Sequence, residues 1–300
     1  MRVVVSGASG LVGRSLSAAL RARGDEVTPL VRRTPVAGEA RWDPAAGSID
    51  AGALEGADGV VHLAGAGIGD KRWSAQRRRE IVSSRVESTS LLARTLGGLT
   101  RPPATMVSAS AVGFYGDRGD EVLTEDSGPG AGFLADVCRA WEDATGPAAH
   151  AGVRVVRLRS GVVLSAHGGA LARQLPLFRL GIGGRLGSGA QWLSWISLPD
   201  EVGIILHALD DPALSGPVNA TAPAPVTNRV FTRALGRALH RPAVLSVPGF
   251  ALSIVLGPDL ATEMVLAGQC VVPTRLTATG YSFRHANVDA ALAAVLTPGS

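Results

Sequence analysis

Short apolar runs and amphipathic stretches alternate along the first two thirds of the chain. Val3-Val-Val is a compact β-branched run, and Leu11–Arg23 repeats apolar residues at helical spacing until Gly24 ends it. The same pattern predicts strands over Arg2–Ser6, Glu26–Val31, Gly59–Leu63, Thr105–Ser108, Arg154–Leu158 and Pro217–Ala220. It predicts further helices over Ala75–Leu96, Phe133–Ala149 and Pro199–Leu209, with a Pro/Gly/Ala-rich loop after Val31. Repeated strand–helix units of this length imply the α/β class: a doubly wound parallel sheet with right-handed crossovers.

After Gly161 the rhythm changes. Glycines crowd positions 168–189, so this stretch reads as mostly loop with one short helix. Beyond Thr227, helical segments and proline breaks predict a smaller, mainly helical C-terminal lobe. The expected organisation is a main domain over residues 1–225, carrying insertions from about 161–197, and a C-terminal lobe over 226–300.

Composition narrows the class. A chain with 46% hydrophobic and 18% charged residues is globular, and no apolar run approaches the ~20 residues of a membrane span. Met1 leads straight into a strand, so no targeting peptide is expected before the fold, and the cytoplasm is the expected location. Cys138 and Cys270 lack any paired spacing, so neither a metal site nor a disulfide framework is expected. The net charge is only +4, and Lys71 is the only lysine. A nucleic-acid or membrane partner is therefore not expected, and nothing in the sequence specifies an oligomeric state. The cluster Lys71-Arg72 with Arg77-Arg78-Arg79 is either a solvated helix start or a phosphate-facing surface.

The most informative motif is Gly7-Ala-Ser-Gly-Leu-Val-Gly13 between the first strand and helix. Gly7 allows a tight turn, Gly10 lets the backbone approach a pyrophosphate, and Gly13 lets the helix pack on the strand. The helix N-terminus, with Ser9, Leu11 and Val12, would then face the phosphates of a dinucleotide. Strand two ends in Arg32-Arg33, where an acid would bind the ribose hydroxyl of NAD. Guanidinium groups there favour the 2′-phosphate of NADP(H); the alternative is two solvent-facing arginines after an edge. His62-Leu63-Ala64-Gly65 forms a small-residue turn suited to the adenine side, with His62 either packing there or acting as a base.

These turns, together with Ser108-Ala-Ser-Ala-Val-Gly-Phe-Tyr-Gly116, resemble the extended short-chain dehydrogenase/reductase superfamily. Trp73, Ser84-Arg-Val-Glu87, Phe133-Leu-Ala135, Trp141-Glu142, Arg159-Ser-Gly-Val-Val-Leu164, Gly187–Gln191, Trp195-Ile196, Asp200 and Gly268–Pro273 narrow the resemblance. They are similar to its atypical "NAD-dependent epimerase/dehydratase" members, along nearly the whole chain. The resemblance implies a Rossmann-type fold, and it places Glu80 and Arg85 beside the cofactor crevice, either facing it or joined in a structural salt bridge, and Ser110 as the assisting serine. It also implies a Tyr-x-x-x-Lys pair, in which the ammonium lowers the tyrosine pKa. That pair is absent. Tyr115 and Tyr281 are followed four residues later by Gly119 and His285, and aligning Trp141-Glu142 puts Leu134 and Cys138 at the pair's positions.

Tyr115 is then a substitute acid or a ring over the nicotinamide, while Glu125 and Asp126 are loop acids. Arg159 is positioned to bind an anionic substrate or the cofactor. Gln191 and Trp195 are candidates for the substrate pocket, and Ser110, Tyr115, Arg159 and Trp195 are expected to line it together; the alternative is that Trp195 is buried in the lobe interface and Arg159 only pairs with a carboxylate. The sequence thus predicts an NADP(H)-binding oxidoreductase or epimerase-like enzyme acting on a small molecule. The alternative is a non-catalytic NADPH sensor or regulator.

Overall fold

The computed structural model describes residues 1–297. Its first half follows the βα rhythm: β1 (Arg2–Ser6), α1 (Leu11–Ala22), β2 (Glu26–Val31), β3 (Ala40–Asp43), β4 (Ser48–Ile49), α2 (Ala51–Leu54), β5 (Gly59–His62) and α3 (Ala75–Gly97). Then come β6 (Thr105–Ala111), β7 (Val122–Leu123), α4 (Phe133–Asp143), α5 (Gly146–His150) and β8 (Arg154–Ser160). The second half holds β9 (Val162–Leu164), α6 (Gly169–Arg179), β10 (Gly184–Leu186), β11 (Trp192–Leu193), β12 (Trp195–Ser197), α7 (Leu198–Asp210) and β13 (Gly216–Ala220).

Eight strands form one sheet in the order β13-β8-β6-β5-β1-β2-β3-β4, parallel except for the β3–β4 hairpin at its edge. The order reverses beside β1, which makes the crevice at the carboxyl ends of β1 and β5 the ligand position of a Rossmann-like fold. The β3–β4 hairpin occupies what the sequence presented as loop; Trp42 is buried there, edge-on to His62. The single helix expected over Phe133–Ala149 is broken in two, because Pro147 lies in the first turn of α5.

Two cores result. The first wraps both faces of the sheet, with α1 and α7 on one side and α3 and α5 on the other. Arg23 at the end of α1 meets Asp210 at the end of α7 at 2.6 Å. The two helices therefore run side by side, with both N-termini toward the ligand end. The second core joins Leu164, Leu171, Phe178 and Trp195 to Phe231 and Leu235 of α8 (Asn228–Ala238) and to Leu292 near the C-terminus. The stretch expected to be mostly loop thus carries β9, α6 and β10, and it packs against the C-terminal lobe.

Gly13 decides how α1 sits on the sheet: a Cβ there would lie 2.2 Å from the Gly7 carbonyl oxygen. Replacing Gly13 by Ala should lower stability by about 1–3 kcal/mol. Gly98→Ala, whose Cβ would meet nothing nearer than 3.6 Å, should be close to neutral. Urea denaturation of the two variants checks the contrast.

Candidate functional site

The glycine turn is built as the sequence implied. Gly7 has φ +71°, and a Cβ on it would strike the Leu63–Ala64 backbone at 2.8 Å, so the β1 turn and the β5 turn touch directly. Gly10 precedes α1 with no side chain capping the helix, which leaves its first N–H groups for a ligand. Ser9 is exposed beside it, its carbonyl accepting from Arg14 at 2.8 Å. Leu11 is half-buried and approaches Gly168, and Val12 packs on the first core.

His62 does not face the crevice. It is fully buried, Nδ1 lying 2.6 Å from Ser6 Oγ and Nε2 3.2 Å from Ser88 Oγ. Burial pushes its pKa down to about 4, so the ring is neutral and ties β1, β5 and α3 together. The turn that follows is held from α3: Ala66 N–H donates to Ser84 Oγ at 3.1 Å, and Arg85 donates to the Ala66 carbonyl at 2.9 Å. Arg85 is buried, also stacks over Trp141, and lies against Gly65. Glu80 pairs with Arg77 at 2.6 Å rather than with Arg85, on the exposed start of the helix.

At the tip of β2 the two arginines differ. Arg33 is engaged by Glu39 at 2.6 Å and by the Thr34 carbonyl at 2.9 Å. Arg32 is exposed and has no hydrogen bond or ion pair among the described residues. It is the free cation at this corner of the crevice.

The expected substrate pocket is different from what the sequence suggested. Strand register sets Ser110, Arg159 and Asn219 in one row across β6, β8 and β13. Glu142 of α4 reaches into that row: Arg159 Nε and Nη2 grip its two oxygens at 2.8 and 2.9 Å, and Ser110 Oγ donates to it at 2.7 Å. Arg159 also donates to the Tyr115 hydroxyl at 3.0 Å, and that hydroxyl donates to Asn219 Oδ1 at 2.7 Å. The Phe114 ring lies 3.4 Å from the guanidinium carbon. Glu125 closes the network by accepting from the Asn219 and Arg275 N–H groups at 3.1 and 3.2 Å.

Three of the four expected pocket residues therefore meet, but as a buried scaffold. Tyr115 is 0% exposed, and burial pushes its pKa up. This corrects its reading as an acid facing the substrate. Arg159 is neutralised by Glu142 and is not free for an anionic substrate. Trp195 is also fully buried, in the second core, donating to the Ala224 carbonyl at 3.1 Å. Gln191 spends its amide on the Leu186 and Val265 carbonyls at 3.0 and 3.2 Å, pinning the loop to the C-terminal lobe. At the positions of the missing pair, Leu134 is half-buried, and the Cys138 thiol is pushed up to about 12, mainly by burial.

Sequence reasoning missed one group at the crevice edge. Ser160 ends β8 half-exposed, one residue past Arg159 and on the opposite face, and it donates to Glu201 Oε1 at 2.6 Å. Glu201 lies in the first turn of α7 and is 2% exposed, with its Oε2 unpartnered. Burial pushes its pKa up to about 7 against the pull of the Ser160 bond. No local signal marks an acid at such a position as anything but a helix-start residue.

These features define a dinucleotide-binding protein of the short-chain dehydrogenase type. Residues 3–220 match the NAD dependent epimerase/dehydratase family, to which the chain belongs. Residues 247–295 match a domain of unknown function, DUF1731. An epimerase family protein of Mycobacterium bovis is 46% identical over 299 residues, 99% of this chain and 98% of the relative. Human epimerase family protein SDR39U1 is 39% identical over 296 residues, 97% of this chain and 98% of its own. The crystal structure of that human protein (isoform 2) with NADPH superposes with a TM-score of 0.90 at 37% identity, covering 98% of this chain and 99% of that one. A nucleoside-diphosphate sugar epimerase from Corynebacterium glutamicum superposes at 0.79 with 41% identity, covering 98% of this chain and 57% of that one.

Glu201 yields a pH test. Between its ordinary value of 4.5 and about 7, the folded state keeps a proton that the unfolded chain has released. Stability contributed by the protonated carboxyl is therefore complete below that window. It falls as pH rises, by a total on the order of 3 kcal/mol above about 7. Glu201→Gln should match the parent near pH 4.5 and exceed its Tm at about pH 8.5.

Proposed function

We propose that the protein binds NADPH in preference to NADH and uses it to reduce a carbonyl-bearing small molecule. The observation that carries the cofactor choice is Arg32, exposed and unpaired at the tip of β2, while Arg33 is held by Glu39. The 2′-phosphate would lie against Arg32, the pyrophosphate on the N–H groups that follow Gly10, and the adenine beside the Leu63–Gly65 turn. Charge-assisted bonds to that phosphate contribute roughly 1.5–3 kcal/mol, a preference of about ten- to a hundredfold. Calorimetric titration should show this preference in the parent and its loss in Arg32→Ala, with NADH affinity unchanged. Equal affinities in the parent would overturn the assignment. The two free cysteines are buried, which fits the reducing cytoplasm we assign as its location.

The proton for such a reduction comes, in this reading, from the Ser160–Glu201 pair. Bound NADPH would supply the hydride to the carbonyl carbon; Ser160 would turn its proton from Glu201 Oε1 to the carbonyl oxygen and take a proton back from the Glu201 carboxyl across the same 2.6 Å contact. Solvent then restores that carboxyl. Ser110 and Tyr115 hold the wall of the crevice through Glu142 and Asn219. Nucleotide-sugar epimerisation is disfavoured because the Tyr-x-x-x-Lys relay is absent. Against a panel of aldehydes, ketones and UDP-sugars, NADPH oxidation should appear with a carbonyl and decline as pH rises past about 7. Glu201→Gln should slow that reaction, and UDP-sugar epimerisation should stay far below ~1 s⁻¹. NADPH binding with no turnover across the panel would favour the sensor reading, which the buried state of Ser110, Tyr115 and Arg159 also supports.

A further inference from the structure

A second concavity, of about 920 Å³, lies between β10 and α8, with no residue of the glycine turn in its wall. Its wall carries five arginines: Arg185 from β10, Arg229, Arg233 and Arg237 from α8, and Arg241 just beyond that helix. The three on α8 recur every fourth residue, so they stack on one stripe and repel one another. Among the described residues, one carboxylate answers them: Asp289, 2.6 Å from Arg237. Arg233 has no partner among those residues. Arg185 and Arg229 both donate to the Ser188 carbonyl, at 3.1 and 3.0 Å. Gly189 makes room for them: it has φ +71°, and a Cβ on it would press on both arginine side chains at 3.2–3.4 Å. The fold therefore gathers five like charges and answers one of them with a carboxylate among the described residues.

A second observation points to the same place. His240, which lines this concavity, is the one non-glycine residue with positive φ (53°) among the described residues. It follows the end of α8 in a Schellman turn: His240 N–H donates to the Arg237 carbonyl, and Arg241 N–H to the Gly236 carbonyl, both at 3.0 Å. Glycine fits that position without strain. The chain instead places an imidazole there, beside the arginines.

We propose that this concavity is a binding site for a small, multiply phosphorylated anion. Guanidinium forks match phosphate oxygens in pairs, and several of them around one hollow suit a compact charge better than a single carboxylate. Ala243, Val244 and Leu245 add an apolar wall, Val244 being 85% exposed, which suits a phosphate ester with an apolar or flat body. A nucleic acid is disfavoured because no Phe, Tyr or Trp side chain lines the hollow for base stacking.

Tripolyphosphate is the probe, titrated calorimetrically into the full-length protein at low salt. Binding in the micromolar range is expected, about tenfold or more weaker in Arg229→Ala/Arg233→Ala. Both side chains are exposed, so the ligand-free Tm of that variant should match the parent's. His240→Gly should raise the Tm by relieving the backbone and should also weaken the anion. The proposal is overturned if neither variant loses affinity or the parent binds only at millimolar concentration. Displacement of the probe by a single-stranded oligonucleotide or polyglutamate, at lower charge concentration than tripolyphosphate itself needs, overturns it as well.

Discussion

The buried ion pair between Arg159 and Glu142 organises this molecule's crevice. Both side chains are only 5% exposed, and each makes two hydrogen bonds to the other. Desolvating two such charges is expensive, so the pair persists only because its surroundings complete it. Ser110 and Tyr115 fill most of that role, and Phe114 covers the guanidinium. Removing either partner would strand a buried charge, a loss of about 3–5 kcal/mol. Residues that would otherwise be free for chemistry are thereby committed to architecture.

That commitment divides the crevice into a fixed wall and an open edge. On the wall side, β6, β8 and β13 are bridged by Ser110, Arg159 and Asn219, and the C-terminal lobe is drawn in through Glu125, Arg275 and Val272. On the other face, where α1 and α7 begin together, Glu201, bonded to Ser160, is a buried carboxyl at the crevice edge whose proton is held to about pH 7. The glycine turn and Arg32 lie at the cofactor end. The two halves meet across one strand, at adjacent residues Arg159 and Ser160 that point to opposite faces.

Much of this was legible in the sequence where local chemistry decides it. Arg2–Ser6, Glu26–Val31 and the glycine turn follow from β-branched runs and from backbone positions that exclude a Cβ. The absence of a Tyr/Lys pair follows from a chain with two tyrosines and one lysine. The rest depends on tertiary pairing that leaves no local mark. Glu142 stands 17 residues before Arg159, and no spacing rule links them. Trp195 is a pocket candidate by sequence, yet the second core that buries it is assembled from segments as distant as Leu164 and Leu292. The β3–β4 hairpin is too short for its alternation to stand out from a Pro/Gly/Ala-rich stretch, whereas Pro147 is a local mark of the break between α4 and α5.

The most direct test is a crystal structure of this protein with NADPH bound. The 2′-phosphate should contact Arg32, and the nicotinamide should lie on the Ser160 side of the crevice. Ser110 and Tyr115 should still be bonded to Glu142 and Asn219 around an intact Arg159–Glu142 pair. A structure in which that pair opens and Tyr115 or Ser110 turns toward the nicotinamide would contradict the account.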